Sequence, residues 1–172
     1  MLRHRGPDDL NYIKINKTIM GATRLAISDP HKRSNQPFMN DSNDILLIFN
    51  GEIYNFLELK RLFSLETRTN SDTEILMKLY ELKGTNFLKY LNGMFSIVIY
   101  DTKNKDFLIA RDRLGIKPLF YYKKENFFII SSETKPIKFL LNNKVRINKE
   151  SITQYKIMRG LFGEKTFYDE IK

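Results

Sequence analysis

ILLIFNGEIYN, Ile45–Asn55, is the stretch on which the reading of this chain turns. Five apolar residues, Ile45 to Phe49, run straight into Asn50, Gly51 and Glu52. A buried strand that ends in Asn-Gly brings a side-chain amide and an unobstructed backbone N–H to one point. Two such donors can hold a developing oxyanion. An ordinary strand closing in an Asn-Gly turn explains the same residues, and on this stretch alone it is the preferred reading.

Outward from that strand, the chain alternates short elements. Upstream, Ile19–Ile27 (IMGATRLAI) reads as a strand with Arg24 in its polar-depleted middle. A cation there needs a partner. It either snorkels to the surface or a structural carboxylate, or it presents a guanidinium to a carboxylate ligand. Tyr12–Ile15 suggests a shorter strand, and the polar N-terminal segment around Gly6-Pro7 suits an ordered loop. Between these strands and Ile45, the turn formers of Ser28–Asn43 predict a long loop.

Downstream, Phe56–Leu65 has helical spacing. Ser71 and Glu74 have the spacing of a capping box at the head of a helix over Ile75–Leu82 that ends at Gly84. Asp72 falls in its first turn, where the helix dipole alone accounts for an acidic residue. Phe87–Leu91 adds a short helical piece. Met94–Tyr100 with Phe107–Arg111, and Leu119–Tyr122 with Phe127–Ser131, predict two β-hairpins. Helices are expected over Thr134–Leu141 and Ser151–Met158. Leu161–Lys172 has no clear period, although Phe162, Phe167, Tyr168 and Ile171 in it need burial. Six or seven strands with few βαβ alternations argue for an antiparallel α+β arrangement.

The 172 residues are 42% apolar and 28% charged, as in a globular domain. No apolar run approaches the length of a membrane helix. The first residues, MLRHRGPDD, are no secretory signal, so the cytoplasm is the expected compartment. There is no cysteine, which excludes a thiolate nucleophile or thiolate metal site within these residues. With His4 and His31 the only histidines, a His-rich metal centre is not expected. The net charge of +9 raises nucleic-acid binding, but the lysines are spread along the whole chain and do not form a block. Walker, G-x-G-x-x-G and nucleophile-elbow motifs are absent.

A free amino acid with a side-chain amide needs a cation for its α-carboxylate, an anion for its α-ammonium and donors for the oxyanion. Arg24, Asp72 and Asn50-Gly51 would form that set. Several motifs then occur in a telling order: HRGPDD (4–9), RLAISD (24–29), NQPF (35–38), NGEIYN (50–55), SDTE (71–74), NGMF (92–95), RDRLGIKPLFYY (111–122) and SSETKPI (131–137). In this order the chain resembles class II glutamine amidotransferase domains, and more narrowly the glutaminase half of glutamine-hydrolysing asparagine synthetases.

The resemblance implies an Ntn-hydrolase fold: an αββα sandwich of two antiparallel sheets between helix layers, here without its first strand. It implies an amidotransferase domain over residues 1–160 and a connector, 161–172, toward an ATP-dependent synthetase domain. By the same resemblance, Arg24 would bind the α-carboxylate of L-glutamine, and Asp72, helped by Glu52, its α-ammonium. Asn50 and Gly51 would form the oxyanion hole, and Ile27 would line the pocket. The family's nucleophile is an N-terminal cysteine on a strand preceding the His-Arg-Gly-Pro motif. A chain shortened at its start is therefore expected, inactive alone, with a non-catalytic glutamine-binding or scaffolding domain as the alternative. No cofactor is expected in this chain; ATP and magnesium would belong to the missing synthetase domain. The expected function is supply of ammonia for amidation of a carboxylate, aspartate by default. The expected partners are glutamine, the synthetase domain and a second copy in a homodimer, with neither nucleic acid nor membrane.

Overall fold

The structure, a computed structural model, describes residues 1–25, 34–125 and 127–172. The chain packs as two compact units, divided between Lys117 and Pro118.

The first unit is built on β4 (Ile45–Ile53), which pairs antiparallel with β5 (Gly93–Asp101). Strand β3 (Phe38–Met39) joins one edge of β4, and β6 (Asp106–Arg111) joins β5, giving the order β3-β4-β5-β6. Alternate residues of β4 serve two different cores, as the two-residue period of a strand requires. Leu47, Phe49 and Ile53 face the helices α1 (Phe56–Leu62) and α2 (Asp72–Lys83) and the one-turn-type helix Gly84–Tyr90. Leu46 and Ile48 face a separate hairpin, β1 (Asp9–Ile15) with β2 (Thr18–Arg24), through Met20, Ile13 and Ile15. The unit is therefore layered as hairpin, sheet, helices.

Strand β4 does not stop at Asn50. Its pairing continues through Gly51↔Phe95 and Glu52↔Met94 to Ile53↔Gly93. Two glycines on facing strands make this possible. A Cβ on Gly51 would lie 2.1 Å from the Met94 carbonyl oxygen, and one on Gly93 would lie 2.3 Å from that of Glu52. The Asn-Gly turn expected from sequence is thus replaced by a close approach of two backbones.

Other boundaries shift by a few residues. β2 ends at Arg24; Leu25 follows it outside the strand, and Ala26 and Ile27 lie outside the described residues. The capping box is half formed. Ser71 Oγ accepts from the Thr73 N–H, but Glu74 turns to the preceding loop, where it accepts from the N–H groups of Arg68 and Thr69 and from the Thr69 hydroxyl. Those donors outweigh burial and hold the Glu74 carboxyl below its ordinary range. Gly84 ends α2 with φ +54°, a conformation glycine adopts without strain.

The second unit contains the hairpin β7 (Phe120–Lys124) with β8 (Phe127–Ser131), followed by α3 (Thr134–Leu140) and α4 (Lys149–Met158). Residues 161–172 belong to it. Lys172 exchanges two backbone hydrogen bonds with Tyr121, and Ile171 is fully buried. The architecture is α+β with antiparallel pairing throughout the named strands.

Candidate functional site: the open edge of strand β4

The alternation of hydrogen bonds along an antiparallel strand decides which donors of β4 are free. The Asp44 carbonyl accepts from Thr102 and the Asn92 carbonyl from Tyr54, so the even positions of β4 face β5. The Phe95 N–H and C=O turn the other way, to Asp112. The odd positions of β4 therefore point to the opposite edge. There β3 covers only Leu46 and Leu47. Beyond it come three N–H groups in a row. Phe49 donates to Gln36 Oε1 at 2.7 Å, and Ile53 donates to Asp72 Oδ2 at 3.2 Å. Gly51 lies between them, and its N–H has no partner among the described residues.

Beside this donor is a second. The Asn50 side chain, at an even position, shares the hairpin-side face with Leu46 and Ile48. Its Nδ2 is buried and has no hydrogen-bond partner among the described residues. A buried amide donor left unpaired costs on the order of 1–3 kcal/mol and calls for an explanation. An acceptor brought by a ligand would supply one.

Asp72 is the third feature of this edge. It is only 8% exposed. Burial pushes its carboxyl above the ordinary range and the Glu52 charge adds to this, against backbone N–H bonds from Ile53 and Thr73. Glu52 itself is exposed. No cation pairs with Asp72 among the described residues. Two neighbouring carboxylates without a counter-ion among the described residues make a seat for a cationic group.

Arg24 closes the set from the hairpin. Met20, Ala22 and Arg24 lie on one face of β2, the face that packs on the sheet through Met20. The guanidinium is half-buried and donates to Asn35 Oδ1 at 2.5 Å. Asn35 Nδ2 in turn donates to the Asp9 carboxylate, and Asp9 is the cross-strand neighbour of Arg24. Asn35 and Gln36 are consecutive, so one dipeptide is bonded both to Arg24 and to the Phe49 N–H beside Gly51. This ties the cation to the donor edge by a short path of named contacts.

The N-terminal loop is ordered against the same end of β2. Arg3–Arg5 forms a single 3₁₀ turn, Asp8 donates its N–H to the Arg24 carbonyl, and the Thr23 hydroxyl donates to the Leu2 carbonyl. A Cβ on Gly6 would lie 2.4 Å from the Arg24 nitrogen, so the approach admits only glycine.

Of the residues expected from sequence, Arg24, Asn50, Gly51, Glu52 and Asp72 all fall within the first unit; the last four lie at the end of β4 that no described strand pairs on its outer edge, and Arg24 is linked to it through Asn35 and Gln36. Ile27 lies outside the described residues. Asn35 and Gln36 were not anticipated. Their signal was present: two amide side chains directly before Pro37 in a loop otherwise read as turn formers. No group of three or more His, Asp or Glu side chains among the described residues is placed to hold a metal ion.

A family model for the glutamine amidotransferase domain matches residues 1–172. The chain belongs to that family. It is 41% identical over 174 residues to a protein of Methanocaldococcus jannaschii named "Putative asparagine synthetase (glutamine-hydrolyzing) 2", covering 90% of this chain and 34% of that one. It is 45% identical over 138 residues to asparagine synthetase (glutamine-hydrolyzing) 2 of Bacillus subtilis, covering 79% and 18% respectively. Asparagine synthetase (glutamine-hydrolyzing) of Asparagus officinalis is 44% identical over 120 residues, 69% of this chain and 20% of that protein. The chain thus spans about a third or less of the length of the curated relatives it matches. None of the described helices is long and apolar enough to cross a membrane.

Proposed function

We propose that the open edge of β4 binds L-glutamine and serves its hydrolysis to glutamate and ammonia. The observation that carries this reading is the pair of donors without a partner among the described residues, buried Asn50 Nδ2 and Gly51 N–H, near the buried Asp72 carboxylate, which no cation among those residues pairs. Arg24 takes the α-carboxylate, Asp72 and Glu52 take the α-ammonium, and the side-chain amide is directed to Asn50 and Gly51. A cysteine thiolate supplied from outside these 172 residues would attack the amide carbon, forming a C–S bond and moving the carbonyl π pair onto oxygen, where both donors would hold it. Collapse expels the nitrogen, which gains a proton and leaves as ammonia. Water then cleaves the thioester to glutamate. None of the 172 residues is a cysteine, so binding and hydrolysis are separable properties of this chain.

The names of the relatives support an extension of this reading. The ammonia would be consumed in an ATP- and magnesium-dependent amidation, of aspartate by default, by a synthetase domain lying outside these residues. A homodimer in the cytoplasm is the assembly and compartment that go with it. Residues 1–160 would then be the amidotransferase domain proper and 161–172 the lead toward the synthetase domain.

Calorimetric titration of the chain with L-glutamine tests the core of the proposal. Saturable binding is expected, and Arg24→Ala should weaken it by about 2–5 kcal/mol, since the carboxylate then loses its charged partner. The 172-residue chain should release no glutamate. Equal affinity for glutamine and for an uncharged amide, or binding unaffected by Arg24→Ala, would sink the assignment.

A further inference from the structure

We propose that Asn35 is a positioning residue that sets selectivity for the α-carboxylate by orienting Arg24, with Asp9 holding Asn35 in turn. The inference rests on the reading of Arg24 given above.

The side-chain amide of Asn35 bridges two charges of opposite sign. Its oxygen accepts from Arg24 and its nitrogen donates to Asp9. Only this orientation works. Rotating the amide by half a turn would set NH₂ against guanidinium and carbonyl oxygen against carboxylate. The amide is therefore locked, and with it the direction of the Arg24 fork. Arg24 and Asp9 are also cross-strand neighbours in β1–β2. Neutral Asn35 bridges them, so Arg24 Nη1 meets an amide oxygen at this point and the Asp9 carboxylate meets the amide nitrogen.

The place of Asn35 is fixed from its other side. Gln36 accepts from the Phe49 N–H, and Pro37 and Phe38 are buried. Residue 35 thus cannot drift without breaking the bond at the β4 edge. An arginine with several rotatable bonds gains selectivity when such a contact limits its rotamers.

The test is a ligand–variant cycle on the whole chain. L-glutamine and L-glutamine α-amide, whose carboxylate is replaced by a neutral carboxamide, are titrated against wild type, Arg24→Ala, Asn35→Ala and Asp9→Asn. Wild type should prefer glutamine. Asn35→Ala should cut that preference on the order of tenfold, while affinity for the α-amide stays near wild type. Asp9→Asn should cut it less. Partial unfolding lowers both affinities by one common factor, so the ratio isolates positioning from stability. If Asn35→Ala fails to fold, Asn35→Asp provides the second variant. It keeps the size of the side chain but places a carboxylate on the guanidinium, and it should lower the same ratio. An unchanged ratio in Asn35→Ala alongside a collapsed ratio in Arg24→Ala overturns the positioning role and leaves the carboxylate reading intact. An unchanged ratio in Arg24→Ala overturns the reading beneath it.

Discussion

Two aspartates of the first unit, Asp112 and Asp72, are both nearly inaccessible to solvent, at 7% and 8% exposure, yet their surroundings differ. Asp112 accepts from four backbone N–H groups: Phe95 at 3.1 Å, Leu114 at 3.2 Å, Ile116 at 2.9 Å and Lys117 at 3.0 Å. Burial pushes its carboxyl up, but these donors overcome it and hold the carboxyl below the ordinary range. Asp72 accepts from the Ile53 N–H at 3.2 Å and from the Thr73 N–H, but burial, with the charge of Glu52 nearby, outweighs these donors and pushes its carboxyl above that range. The first fastens a loop to the sheet. The second has no cation among the described residues and stands at the edge where Gly51 N–H and Asn50 Nδ2 also lack partners among them. The two carboxyls differ both in how strongly burial acts on them and in how many donors the fold has already supplied.

The largest effect expected from this contrast is on stability at Asp112. Asp112→Ala leaves four N–H groups without their acceptor and should lower unfolding free energy by about 3–5 kcal/mol in urea melts. A loss under ~1 kcal/mol would mean that water replaces the carboxylate without cost.

Asp72→Asn should behave in the opposite way. The substitution keeps an oxygen for the Ile53 N–H and removes the buried charge beside Glu52. We expect stability to hold or rise by up to ~1 kcal/mol, with glutamine binding lost. A strongly destabilised Asp72→Asn that still binds glutamine would reverse the comparison.

The pH profile is the subtler effect. Asp112 has a folded value below its ordinary 3.8, so its contribution is present above that value and is lost as pH falls through the lowered one. Asp72 has a folded value above 3.8, so its penalty is absent below 3.8 and grows as pH rises through the raised one. Urea midpoints across the acid range should show the wild-type deficit relative to Asp72→Asn widening with rising pH. The wild-type advantage over Asp112→Asn should shrink as pH falls. Parallel profiles for the two variants would contradict the assignment of opposite shifts.

Much of this was legible before any coordinates. The two-residue alternation of ILLIF, the Ser71 cap, the Gly84 stop and the hairpin of β5 and β6 follow from local pattern and are observed close to their expected bounds. The path of β4 through Asn50-Gly51 was not legible. A glycine after asparagine reads as a turn, and only the facing Gly93, 42 residues away in sequence, reveals a close strand crossing. The roles of Asn35 and Gln36 were hidden for a similar reason. Polar loop residues carry no period, and their partners Arg24, Asp9 and Phe49 become neighbours only once hairpin and sheet are stacked. Asp112 and Asp72 both stand in short polar stretches of the chain, yet sequence pattern cannot count the backbone donors that each will meet.

The most direct test is to follow the amide signals of the chain by heteronuclear NMR during titration with L-glutamine. The backbone N–H of Gly51 and the side-chain NH₂ of Asn50 should shift saturably and together, while Gly115, in the loop held by Asp112, stays in place. Saturation with Gly51 and Asn50 unmoved would contradict the claim that the open edge of β4 is the glutamine site.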